Sequence, residues 1–141
     1  VAGEFWEDDA SYHALIDKLG ISQSVRIDNR YIPNEEAHIY FSAADLLVAP
    51  YRQVTGSAVV QLARGFGLPV VTTAVGALAE TADDAGSILA PPKDPQQLAT
   101  VIVRCFEDGL APEVPLAIRK REGRASWQKL VATIESLTLE R

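Results

Sequence analysis

Short apolar runs alternate with amphipathic stretches along most of this chain. VAGEF (1–5), VRIDN (25–29), DLLVAPY (45–51), PVVTTA (69–74) and SILAP (87–91) read as strands, and the last three are apolar enough to be covered on both faces of a sheet. Helical spacing fills the gaps. From Asp9 to Leu19, the residues Tyr12, Leu15, Ile16 and Leu19 recur at helical intervals, and Gly20 follows where a helix closes with a left-handed residue. Asn34 is placed to cap a second helix, with Glu35 and Glu36 favourable to its dipole and Ala37, Tyr40, Phe41 and Ala44 as its buried stripe. SAVVQLARGFG (57–67) reads as a third. Asp94, Pro95 and Gln97 give another start signal, a cap with proline at the first helical position and a reciprocal polar partner, and Gly109 is the expected stop. After SILAPP the strand pattern ceases, and DGLAPEVP (108–115) reads as a loop between helices, the last of them striped by Trp127, Leu130, Val131, Ile134 and Leu137.

Strands alternating with helices imply right-handed crossovers and a parallel sheet. The expected fold is α/β, a Rossmann-like three-layer domain with a parallel sheet of about five strands and the carboxy-terminal helices packed on it. At 141 residues, 48% of them hydrophobic, the chain suits a single domain, 1–141.

Charge and cysteine content narrow the functional classes. Thirteen Lys and Arg against nineteen Asp and Glu leave a net charge of −6, which argues against nucleic acid as a partner. Cys105 is the one cysteine and falls on the apolar face of a helix, as a small core residue would in a reducing compartment. The expected location is cytoplasmic. No apolar run has the roughly 18 residues of a spanning helix, and VAGEFWEDD lacks the character of a signal peptide. It reads as a strand cut from a longer chain.

In a sheet of this kind the ligand crevice lies beyond the carboxyl ends of the strands. RQVTG (52–56) is the loop that follows one buried run, so the amides of Gly56, Ser57 and Ala58 would face that crevice. Unpaired amides at the positive end of a helix dipole suit an anion such as phosphate, and a glycine permits close approach. The plainer alternative is that Thr55 or Ser57 caps the helix and Gly56 serves the turn. Arg52 and Gln53 occupy the loop, and Arg52 is its local cation. His13 and His38 have no second ligand at metal spacing, so no metal is expected, and no arrangement supports Ser-His-Asp or Cys-His catalysis. Glu4, Glu7, Asp8 and Asp9 are read as a solvated loop and helix cap.

The stretches NRYIPNEEAHIYFSAADLLVAPY, TGSAVVQLARGFGLPVVTTAVGALAE, GSILAPPKDPQQLA and SWQKL resemble the carboxy-terminal domain of the retaining, GT-B-type glycosyltransferases of the large group 1 family. The resemblance runs over essentially the whole chain. It implies a domain that holds a nucleotide-sugar donor, while a separate amino-terminal domain, absent here, supplies most of the acceptor site. It further implies that the backbone at Tyr31 and Ile32 borders the base, that Gly56, Ser57 and Ala58 meet the donor diphosphate, and that Glu80 closes a Val-Gly-x-Leu-x-Glu turn near the cleft floor. The donor is substrate; no cofactor is implied, and no catalytic residue is assigned.

Two departures from the family pattern matter. Where the family usually carries two glutamates with seven residues between them, this chain has Val54 and Leu62. Gln61 is a poor substitute, being about 100° round the helix from the second place. The family's diphosphate-neutralising Arg and Lys would precede Val1, so the chain alone is expected to bind donor and not to transfer sugar. The functional expectation is the donor-binding half of a glycosyltransferase, with peripheral membrane association of a parent protein left open. The alternatives are a nucleotide-sugar epimerase half-domain, for which the extra cleft carboxylates and His are not found, and a non-catalytic nucleotide-binding domain. A phospho-acceptor receiver is disfavoured because Asp45 starts its strand.

Overall fold

The computed structural model of the chain describes residues 1–81 and 87–107. The chain divides into two compact units, Val1–Ala43 and Ala44–Arg141.

The first unit carries two helices, α1 (Ala10–Lys18) and α2 (Asn34–Ala43). VAGEF and VRIDN, expected as full strands, meet at a single parallel bridge between Ala2 and Asp28. Its main-chain bonds run from Asp28 N–H to the Val1 carbonyl at 2.8 Å and from Gly3 N–H to the Asp28 carbonyl at 3.1 Å. Gly3 then turns to a φ of +133°, outside the extended range, which ends the pairing. Beyond it the Phe5 N–H goes to a side chain, Asn29 Oδ1, at 3.0 Å. The α1 helix closes as expected: Gly20 has a φ of +67°, and the N–H groups of Gly20 and Ile21 return to the carbonyls of Asp17 and Ile16. Its apolar stripe is not buried, since Tyr12, Leu15 and Leu19 are exposed. In α2 the capping carbonyl belongs to Pro33, which accepts from Glu36 and Ala37, so Asn34 is the first helical residue and not the cap. Ala37, Tyr40 and Phe41 are half-buried and Ala44 is exposed.

The second unit holds the core. Strands β1 (Leu47–Ala49), β2 (Val70–Thr73) and β3 (Ser87–Ala90) form a parallel sheet in that order. Val48 pairs with Val71, and Val71 with Ile88. Every residue of β2 is buried, as its unbroken β-branched run requires of a central parallel strand. The α/β class and parallel pairing expected from the sequence are present, with three strands in this sheet.

Helix α3 (Ala58–Gly65) packs on β1 and β2, α4 (Ala77–Thr81) on β2, and α5 (Pro95–Glu107) on β3. The Gly-Leu-Pro signal after α3 has a direct cause. Gly67 has a φ of +71°, its N–H bonds to the Arg64 carbonyl and that of Leu68 to the Ala63 carbonyl, after which Pro69 leads into β2. At the head of α5, Asp94 Oδ1 accepts the Gln97 N–H at 2.9 Å with Pro95 at the first helical position. Cys105 is buried on that helix, as expected. The stop at Gly109, the 108–115 loop and the Trp127 stripe lie outside the described residues.

Candidate anion site at the head of helix α3

The β1 strand ends at Ala49, and residues 50–57 carry the chain into α3. Ser57 is extended, with φ of −137° and ψ of 114°, and its Oγ accepts the Val60 N–H at 3.2 Å. The Ser57 carbonyl accepts from Gln61 N–H. Ser57 is therefore the helix cap, one of the two readings the sequence left open. The cap satisfies one of the amides at this end, and among the described residues no acceptor is found for the N–H groups of Gly56, Ser57, Ala58 and Val59. Four amides at the positive end of the α3 dipole are what an anion site consists of. Capping by Ser57 and an open amide array thus coexist.

Around this array, Arg52, Gln53, Thr55 and Gly56 are exposed and Ser57 is half-buried. Arg52 has no ion pair among the described residues. Gly56 does not adopt a positive φ, and a Cβ built on it meets nothing within 4 Å. The fold itself therefore does not require glycine there, a correction to the idea that Gly56 serves the turn. Space above it is open to whatever approaches from solvent.

Gly76 is the glycine that the loop does require. It has a φ of +51°, and a Cβ there would stand 2.0 Å from the Val54 carbonyl oxygen. The Val-Gly-x-Leu-x-Glu turn after β2 thus packs directly beneath the loop after β1, with Leu78 buried as its anchor. Glu80 falls in α4, and its side chain lies outside the described residues. Of the two positions where glutamates were expected, Val54 is half-buried and Leu62 is 47% exposed on α3.

Three contributors had no distinct signal in the sequence. The Tyr51 hydroxyl lies 2.8 Å from Ser57 Oγ, and Thr73 Oγ1 donates to the Tyr51 carbonyl at 2.5 Å. Arg64 is buried on α3 and donates from Nη2 to Ser87 Oγ at 3.0 Å, bonding the helix to β3. Burial lowers its pKa, but from so high a value that it stays charged. An arginine on a helix normally reads as solvent-facing, which is why periodicity passes over it.

Tyr31 and Ile32 belong to the first unit; Tyr31 is exposed and Ile32 half-buried. The residues before them are fixed by a polar network. Arg30 Nη2 donates to Glu36 Oε2 at 2.6 Å and to the Tyr40 hydroxyl at 3.2 Å, and its Nε donates to Asp28 Oδ1 at 3.1 Å. The Tyr40 hydroxyl donates to Asp28 Oδ2. That bond, aided by Arg30, holds the Asp28 carboxyl below its ordinary pKa, and the same bond raises the Tyr40 pKa. Among the described residues no group of three His, Cys, Asp or Glu side chains is arranged to hold a metal, and no helix is long and apolar enough to cross a membrane.

A parallel sheet whose strands are joined through crossover helices defines an α/β domain with a three-stranded parallel sheet. The sequence profile of the family Glycosyl transferases group 1 matches residues 1–108, and the chain belongs to that family. It is 36% identical over 109 residues to D-inositol 3-phosphate glycosyltransferase 1 of Catenulispora acidiphila, covering 76% of this chain and 26% of that protein. Among solved structures, sucrose-phosphate synthase from Thermosynechococcus elongatus superposes with a TM-score of 0.73 at 23% identity, over 98% of this chain and 36% of the other. Anabaena HepE, solved in complex with UDP, gives 0.71 at 21% identity, over 96% of this chain and 40% of HepE. The chain thus spans well under half the length of these relatives.

Proposed function

We propose that this chain is the donor-binding part of a glycosyltransferase, and that the head of α3 receives the diphosphate of a nucleotide sugar. The observation that carries the reading is the set of four open amides at Gly56, Ser57, Ala58 and Val59, in a loop with a cation at Arg52 and no acid. Family membership supplies the substrate class, and structures of HepE with UDP and with UDP and glucose support it. Chemically, the amides take up charge on the diphosphate without side-chain rearrangement, and Arg52 adds a mobile positive charge. Transfer itself needs an acceptor and a site closed from water, which we assign to an amino-terminal domain of a parent protein. The reading places the protein in the cytoplasm, consistent with a single, buried cysteine, Cys105.

Amides at a helix end contribute on the order of 1 to 2 kcal/mol, so affinity for a nucleoside diphosphate should be weak, roughly millimolar. Titrating UDP, ADP and GDP while following backbone amide NMR shifts tests this. The expected shifts concentrate at Gly56, Ser57 and Ala58, with smaller ones at Tyr31 and Ile32, and Gly56→Val removes the first set while the fold persists. If saturating nucleotide leaves Gly56, Ser57 and Ala58 unmoved, the loop is a capped turn and the reading is wrong. The apolar Val54 and Leu62 favour a second reading, a nucleotide-binding domain without transferase chemistry. Binding would then occur while sugar transfer stays absent even with the acceptor domain joined.

A further inference from the structure

The loop between β1 and α3 is fastened at three points of the same unit. Thr73, on β2, holds the Tyr51 carbonyl. Gly76, after β2, lies against the Val54 carbonyl. Tyr51 reaches across six residues to the cap, its hydroxyl 2.8 Å from Ser57 Oγ. The first two contacts, a hydrogen bond and a close backbone approach, fix the start and middle of the loop; the third fixes the residue from which α3 starts.

The hydroxyl pair also holds a hydrogen that the fold does not use. Ser57 Oγ already accepts the Val60 N–H, and one bond joins the two hydroxyls whichever of them donates. That bond takes one of their two hydrogens. The other has no acceptor among the described residues, and it belongs to the same short stretch of chain as the open amides.

We propose that Tyr51 is a positioning residue for the donor diphosphate: by donating to Ser57 Oγ it sets the first turn of α3 and turns the Ser57 hydroxyl hydrogen toward the anion that the amides receive. The inference rests on the donor reading above. Tyr51→Phe keeps the ring and removes the hydroxyl, leaving Ser57 to cap the helix alone. Without the bond that turns it, the Ser57 hydroxyl no longer holds its hydrogen toward the anion, which should weaken UDP, ADP or GDP binding about five- to tenfold, with the thermal midpoint nearly unchanged. Ser57→Ala should weaken it at least as much, and Ser57→Thr should restore it.

The double variant carries the decisive comparison, because a residue that acts through another loses its effect when the other is gone. In the Ser57→Ala background, Tyr51→Phe should produce no further loss, and inorganic pyrophosphate should show the same pattern as the nucleotides, since the effect concerns phosphate and not base. An unmodified chain that binds none of these anions removes the donor reading and this proposal together. A chain that binds them, but binds equally well after Tyr51→Phe or loses affinity again in the double variant, removes this proposal alone.

Discussion

Gly56 and Gly76 lie twenty residues apart and differ in what holds them glycine. At Gly76 the positive φ disfavours any L side chain, and the Val54 carbonyl oxygen already occupies the place of a Cβ. Gly76→Ala must therefore move backbone, and we expect a loss of roughly 2 kcal/mol or more in chemical denaturation. Gly56→Ala meets open space at an ordinary φ. Its stability should stay within about 0.5 kcal/mol of the parent chain, and its effect should appear in nucleotide affinity. Equal losses for the two variants would contradict this assignment. In sequence both are glycines beside helices, and neither sign of φ nor a backbone oxygen beneath a turn is written in residue type. The candidate loop from Arg52 to Ala58 was legible because a glycine and a serine precede a helical run. The supports from Tyr51, Thr73 and Gly76 were not, since they arise where separate loops meet.

Among the elements, the helix boundaries were the best-written feature. Asp94 caps α5 through its own side chain, and Asp94→Ala should cost about 1 kcal/mol of stability, read by thermal or urea unfolding. An unchanged midpoint would mean that the Asp94 carbonyl, which accepts from Leu98, suffices. Burial was less legible than boundaries. The stripe of Tyr12, Leu15 and Leu19 marks α1 as a helix, yet periodicity shows which residues share a face and not whether anything covers it. The head of α2 was misassigned for a related reason. Asn34 is a favourable cap by type, but the Pro33 carbonyl takes the helical bonds and puts Asn34 one place inside.

The network that joins the 28–30 segment to α2 carries a pH dependence. Asp28 has its pKa lowered, first by the Tyr40 hydroxyl, so its contribution is present above the ordinary value of 3.8 and lost as pH falls through the lower folded value. The thermal midpoint of Asp28→Asn should accordingly lie below that of the parent chain at neutral pH, and the two should draw together as pH falls below 3.8, meeting once it has passed the lowered folded value. A gap that persists there would assign the effect to packing instead of charge.

At the scale of the whole molecule, burial is unevenly shared between the two units. No residue of 1–43 is buried, whereas β2 is buried at all four positions and bonded to a strand on either side. The difference follows from composition: PVVTTA offers apolar or β-branched residues to both faces, while VAGEF and VRIDN intersperse Glu4, Arg26 and Asp28 and break at Gly3. That explains why five apparent strands yield one three-stranded sheet and one bridge, although the α/β class itself was plain from the alternation. Amide exchange rates should report the same contrast, because an amide exchanges as readily as the structure around it opens. The slowest amides should lie in Val70–Thr73, near the protection set by global unfolding. Those of Gly3 and Asp28, bonded only at an isolated bridge, should exchange at least ~100-fold faster. Hydrogen exchange followed by NMR distinguishes the outcomes directly: if Gly3 and Asp28 are protected as strongly as Val71, the bridge unfolds only with the core, and sparse burial does not mark the first unit as the less stable one.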